Sequence, residues 1–309
     1  MRNGDRATRL RSCLLVLLAC VVLHGQDKYL AINEDPAPDP AHPAFSVEMT
    51  APSHAERLFG IFYGAAGAGN HPTVVLLHGF PGYEQNLDLA QVIRRAGWNV
   101  LALHYRGSWG VGGTFSLAHA MEDSDAMVAF ARSKDASIKY HIDSGRIVVI
   151  GHSMGGYLAA SAVAHEPAVL GAVMIGTWDI TAPARGAEGV TREQLVARFQ
   201  KELEAEPADF LPLHGTDPRT LAMEIVDHRD AWDLAAFAPK LASRPVLLLT
   251  ADDGSDPGSA RLETALKAAG NTRVRRIYTP TDHGFSWKRI HLASLILDWL
   301  ATLPSGAAK

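Results

Sequence analysis

Gly151-His152-Ser153-Met154-Gly155-Gly156 follows without a break on the apolar run Ile147-Val148-Val149-Ile150, and no other stretch of the 309 residues constrains the fold as much. A short run of β-branched residues reads as a buried strand, and the small residues after it read as a sharp turn into a helix starting near Met154. A turn that tight forces Ser153 into a strained backbone conformation. The residues two before and two after it, Gly151 and Gly155, must then lack side chains to avoid collision. The serine hydroxyl is held out at the tip.

The surrounding pattern places this turn in a layered α/β fold. Two strands are expected near Phe45 to Met49 and Arg57 to Tyr63. Apolar runs at Thr73 to Leu77, Asn99 to His104, Ile147 to Ile150, Val169 to Ile175, Val246 to Thr250 and Val274 to Tyr278 then alternate with helical patterns. The helical patterns fall at Asn86 to Ala96, Leu117 to Arg132, Met154 to Ala164 and Ile290 to Leu303. Repeated strand-helix alternation implies right-handed crossovers, hence a mostly parallel eight-stranded sheet with helices on both faces. The stretch from Asp179 to Ser243 breaks the rhythm: it holds no strand-like run but has helical segments at Arg192 to Glu206, Thr220 to Ile225 and Ala231 to Phe237. It reads as a helical cap insertion, about residues 179–243, over the carboxyl ends of the strands, where open α/β sheets bind ligands. A side layer is the alternative.

The N-terminus is of another character. Arg2, Arg6, Arg9 and Arg11 precede the apolar run from Cys13 to Leu23, which is too short to span a bilayer and fits a signal peptide over residues 1–25. The alternatives are a buried terminal helix, a short anchor, or lipidation at Cys20 in Leu17-Leu18-Ala19-Cys20. An exported, periplasmic or secreted protein with no stable membrane span follows. Cys13 and Cys20 are the only cysteines, so the processed chain would have no disulfide, cysteine metal site or cysteine nucleophile. Residues 26–44, with Pro36, Pro38, Pro40 and Pro43, read as an extended arm leading into a domain over residues 45–309. With a net charge of −4 and no basic cluster beyond the first dozen residues, nucleic acid is not an expected partner.

A reactive serine needs a base, an acid to orient the base, and donors for the developing oxyanion. The sequence has candidates for each at the ends of expected strands. His283, in Thr281-Asp282-His283-Gly284-Phe285 after the last strand, is the candidate base. His152 is set aside, because neighbours along a strand point in different directions. The acid should come from Asp252-Asp253-Gly254-Ser255-Asp256, with Asp253 first, Asp256 second and Asp252 third, and Asp179 a more distant choice. The Met154 N–H, at a helix N-terminus, and the Phe80 N–H, in His78-Gly79-Phe80-Pro81-Gly82, are the candidate oxyanion donors.

The His-Gly-Phe-Pro-Gly turn, the Gly-His-Ser-Met-Gly-Gly elbow and the Asp-His-Gly-Phe ending resemble the α/β-hydrolase superfamily over about residues 45 to 303. Tyr105-Arg106-Gly107-Ser108-Trp109-Gly110 is similar to a loop of the serine aminopeptidase and acylpeptidase-like branches. The resemblance implies hydrolysis of an ester or amide through an acyl-enzyme, with no cofactor and no metal. A carboxylesterase acting on a small ester is the first expectation. A peptidase for short peptides is the second, with Glu202, Glu204, Glu206, Asp209 or Asp227 as carboxylates for a peptide terminus; a solvated helix face is the other reading of these charges. A non-catalytic binding module on the same fold is the third.

Overall fold

The computed structural model describes residues 30–185 and 187–304. The leader expected over residues 1–25, with Cys13 and Cys20, lies outside the described residues. Residues 30–33 of the arm form a helical turn that buries Ala31. Residues 34–44 carry neither helix nor strand.

Eight strands form one sheet: β1 (Phe45–Ser53), β2 (Glu56–Gly64), β3 (His71–Leu77), β4 (Asn99–Leu103), β5 (Ile142–His152), β6 (Ala172–Ile175), β7 (Val246–Thr250) and β8 (Val274–Tyr278). Their spatial order is β1-β2-β4-β3-β5-β6-β7-β8. The β1–β2 and β2–β4 pairs are antiparallel and the rest parallel, so the sheet is mixed at one edge. The principal helices are α1 (Leu87–Arg95), α2 (Leu117–Arg132), α3 (Lys134–Tyr140), α4 (Met154–His165), α5 (Arg192–Glu204), α6 (Pro218–Asp227), α7 (Asp256–Ala268) and α8 (Arg289–Ala301).

The period of two along each strand sorts the core into two layers. Val74, Leu76, Val100, Val148, Ile150, Val173 and Leu247 face α1 and α8, where Ile93, Leu292 and Ile296 meet them. Val75, Leu77, Leu101, Val149, Met174 and Leu248 face the opposite way, toward Met127 of α2, Leu158 of α4 and Leu262 of α7. Both faces of the central strands are buried, which explains why they read as unbroken apolar runs. Fully burying one such side chain stabilises the fold by roughly 1.5–3 kcal/mol.

Several elements depart from the sequence reading. α3 was not expected, since only Ala136 and Tyr140 of its seven residues are buried; Ser133 both ends α2 and caps α3 by accepting the Ala136 N–H at 3.1 Å. β6 starts at Ala172 instead of Val169, and α7 starts at Asp256, with Pro257 in its first turn. The helix expected from Ala231 to Phe237 is a 3₁₀ turn, Leu234–Phe237. Between β6 and β7 the described residues add no strand to the sheet. There α5 and α6 pack on each other through Leu195, Phe199, Leu221 and Ile225, with Thr191 and Asp217 capping them.

The turn after β5 is a place where the backbone admits no extra atom. A Cβ on Gly151 would lie 1.8 Å from the Gly155 carbonyl oxygen, and one on Gly155 would lie 2.1 Å from the Leu77 carbonyl oxygen. Both obstacles are backbone and cannot swing aside. Gly155→Ala is therefore expected to destabilise the protein by about 2–3 kcal/mol or more, read as a lower urea midpoint. Gly145→Ala, where the nearest atom would be 3.4 Å away, should stay within about 0.5 kcal/mol of the parent. Equal midpoints for the two variants would contradict this reading of the turn.

Candidate active site

Ser153 sits at φ 57° and ψ −119°, between the end of β5 and the first turn of α4. That conformation costs on the order of 1–3 kcal/mol, and three backbone hydrogen bonds hold it. The Ser153 N–H donates to the Ile175 carbonyl at 2.8 Å, and the Ser153 carbonyl accepts from Gly156 N–H at 3.0 Å and Trp178 N–H at 3.1 Å. The third glycine of the turn is needed by the neighbouring strand loop, since a Cβ on Gly156 would lie 2.5 Å from Thr177 Oγ1.

His283 and Asp253 reach this point from two other loops. The His283 Nδ1–H donates to Asp253 Oδ2 at 2.6 Å, which leaves Nε2 outside that bond. Asp253 Oδ1 accepts from the Ser255 amide at 2.9 Å and the Ser255 hydroxyl at 2.6 Å, so both carboxylate oxygens are satisfied. Burial alone would raise the Asp253 carboxyl. The hydrogen bonds from His283 and Ser255 outweigh it and hold the acid well below the usual carboxylate range. Asp253 is 4% exposed and His283 47%, an arrangement that fixes the anion inside and leaves the imidazole accessible.

The other acids considered go elsewhere. Asp256 lies in the first turn of α7, accepts from Thr250 Oγ1 at 2.7 Å and pairs with Arg276. Asp252 accepts from the Tyr278 hydroxyl. Asp179 is bound by Arg185 and Arg261, which also contact Asp233. The four side chains tie the segment after β6 to α7 and leave neither arginine unneutralised.

A cavity of about 420 Å³ opens onto Ser153, Asp253 and His283. Trp178, Ala182, Pro183 and Pro257 give it apolar walls, and the Asp179, Arg185 and Arg261 cluster lies along one side. The turn after β3 packs directly over the serine: a Cβ on Gly79 would lie 2.9 Å from Ser153 Cβ and 3.5 Å from its Oγ. Phe80 follows at once, its ring against Phe115, Trp178 and Phe210. Met154 is the first residue of α4, where a backbone N–H has no acceptor within the helix. Among the described residues no group of three or more His, Cys, Asp or Glu is arranged to hold a metal ion, and no helix is long and apolar enough to cross a membrane.

Two residues at the site have roles the sequence reading did not assign. The His152 Nε2–H donates to the His283 carbonyl at 2.9 Å, holding the loop that carries the imidazole. Gly176, at φ 52°, leaves room for the His283–Asp253 pair: a Cβ there would lie 3.0 Å from Asp253 Oδ2 and 3.2 Å from the His283 ring. A glycine directly after an apolar run was a readable signal for the second. The first had none, because its acceptor lies in a loop 131 residues further along the chain.

Burial lowers the pKa of His152 to about 4, with the nearby His283 adding to the effect, and burial lowers that of fully enclosed His78 to about 3. An unfolded histidine takes up its proton near pH 6.5. Between that pH and the folded values the unfolded state binds protons that the native state refuses, so stability falls as pH drops from about 6.5 toward 4. The loss should be on the order of 2 kcal/mol per histidine by pH 5. Asp253 acts in a separate window: its contribution is present above about pH 4 and is lost below it as the depressed carboxyl takes up a proton. Urea unfolding at pH 7 and pH 5 should show a shallower pH dependence for His152→Asn than for the parent. An identical dependence would contradict a neutral, buried His152.

The sequence profile described as the alpha/beta hydrolase fold matches residues 72–246, more than half of the chain. Among solved structures, the chain is similar to an acylaminoacyl peptidase of Pyrococcus horikoshii at a TM-score of 0.62 and 15% identity, over 84% of this chain and 41% of that one. It is similar to an esterase of Pyrococcus furiosus at a TM-score of 0.60 and 18% identity, over 88% and 98%, and to the alpha/beta hydrolase GrgF of Penicillium sp. sh18 at 0.59 and 17%, over 84% and 98%. The chain thus spans less than half the length of the peptidase and nearly all of the other two. At these identities the structural matches speak to the fold, and the profile match to the family. The chain belongs to the α/β-hydrolase family.

Proposed function

We propose that this protein is a serine hydrolase that cleaves carboxylic esters through an acyl-enzyme. One observation carries the reading: the strained Ser153 and the hydrogen-bonded His283–Asp253 pair line a single cavity, although they come from three separate loops. Ser153 Oγ attacks the carbonyl carbon while His283 Nε2 takes its proton. Asp253 keeps the proton of His283 on Nδ1 and stabilises the imidazolium. The Phe80 and Met154 N–H groups receive the tetrahedral oxyanion. His283 then protonates the departing alcohol, and water repeats the sequence on the acyl-enzyme, returning the proton to Ser153.

Apolar walls and a neutralised charge cluster favour a small uncharged ester over a peptide terminus. Glu202 pairs with Arg198, Asp227 pairs with Arg192 and Glu204 accepts from Gln200. None of the five acids suggested as a peptide anchor lines the cavity. The acylaminoacyl peptidase likeness keeps the peptidase as the second reading. Residues 1–25 would place the enzyme outside the cytoplasm.

Ser153→Ala should lower p-nitrophenyl acetate hydrolysis about 10⁴-fold or more, and Asp253→Asn about 10³- to 10⁴-fold, with both variants folded by circular dichroism. Retained turnover in the serine variant would overturn the proposal. In side-by-side assays, kcat/KM for short acyl esters should exceed that for aminoacyl-naphthylamides at least 100-fold, on the order of what a built recognition site supplies. The reverse preference would establish the peptidase.

A further inference from the structure

The donor attributed to Phe80 is not an isolated N–H. It belongs to the peptide group whose other end is the Gly79 carbonyl, and that carbonyl accepts a hydrogen bond at 2.8 Å from His78 Nδ1. A carbonyl oxygen only accepts, so the proton is on Nδ1. His78 is wholly buried and neutral, which leaves Nε2 as a lone pair. Facing that lone pair at 3.3 Å is Nδ1 of His104, which must therefore be protonated and donate. The chain runs His104 Nδ1–H to His78 Nε2, then His78 Nδ1–H to the Gly79 carbonyl, and ends at the Phe80 N–H beside Ser153.

The rest of the turn is gripped in the same way. The Tyr105 hydroxyl donates to the His78 carbonyl at 2.9 Å, and Trp109 Nε1–H donates to the Pro81 carbonyl at 2.7 Å. The indole also stacks on His104, with ring centroids 5.8 Å apart. Gly82 must be glycine for this packing, since its Cβ would lie 2.7 Å from both the His78 ring and Trp109 Nε1. Three carbonyls of the turn, those of His78, Gly79 and Pro81, thus have side-chain donors, and the donor to Gly79 is itself hydrogen-bonded.

We infer that His104 and His78 are positioning residues that orient and polarise the Gly79–Phe80 peptide so that its N–H meets the oxyanion. Hydrogen bonding to an amide oxygen draws electron density away from the nitrogen and strengthens the N–H as a donor, and bonds in such a chain reinforce one another. It also fixes the plane of the peptide before charge develops, which is where preorganised donors gain their advantage. This inference rests on the serine-hydrolase reading.

The test compares His104→Leu, which removes the donor, with His104→Asn, whose side-chain amide can place an N–H near the former Nδ1. Each is assayed on p-nitrophenyl acetate and for inhibition by a short alkyl trifluoromethyl ketone, which forms a tetrahedral adduct with an active serine. His104→Leu should lower kcat about tenfold with KM within twofold of the parent, and should weaken ketone binding by a similar factor. His104→Asn should restore most of both. Unchanged kcat and ketone affinity in His104→Leu would overturn the inference while leaving the hydrolase reading intact. So would a loss of kcat that tracks lowered thermal stability and is not mirrored in ketone affinity. A parent protein that neither hydrolyses the ester nor binds the ketone would overturn both readings.

Discussion

The close approach of backbone at the end of β5 is the constraint on which the rest of the site depends. Gly151, Gly155 and Gly79 bring three chain segments within contact where a single added carbon on any of them would lie within 3 Å of a neighbour. That proximity places Ser153 at positive φ and seats the turn after β3 directly over it. The N-terminus of α4 then starts one residue beyond the hydroxyl. The parallel strands on either side are buried on both faces, so the turn is carried by the most rigid part of the molecule.

Electrostatic order is layered on that steric frame. Asp253 is buried with both oxygens bonded and stays anionic, while the His283 ring it holds remains half exposed to the cavity. His152 is buried and neutral and ties down the His283 loop, and His78 does a similar service for the turn over Ser153. Neighbouring histidines therefore divide the labour according to burial: those that must not change charge are enclosed, and the one assigned to proton transfer is not.

Much of this was legible in the chain. The elbow glycines and the apolar runs each reflect a local rule, either steric or periodic, that operates within a few residues, and Asp253 and His283 are picked out by their places after expected strands. What was not legible depends on distant partners. Arg185 and Arg261 gather on Asp179 across the segment after β6, and no spacing announces such a cluster. His104 reads as the end of a strand until its Nδ1 is found facing His78. The carboxylates of α5 and α6 read either as anchors for a peptide or as a solvated helix face; the Arg198–Glu202 pair is set by helical spacing, whereas the pairing of Asp227 with Arg192 on the neighbouring helix is visible only in space. α3 escaped because a seven-residue helix with two buried side chains has almost no period to detect.

The central claim is that Ser153 is a nucleophile activated by its surroundings. The most direct measurement is to treat the folded protein with a fluorophosphonate, digest it and locate the adduct by mass spectrometry. The account predicts one adduct, on the peptide containing Ser153, formed rapidly in the native protein and lost after denaturation. No labelling of the native protein, or labelling at another residue with Ser153 unmodified, would contradict it.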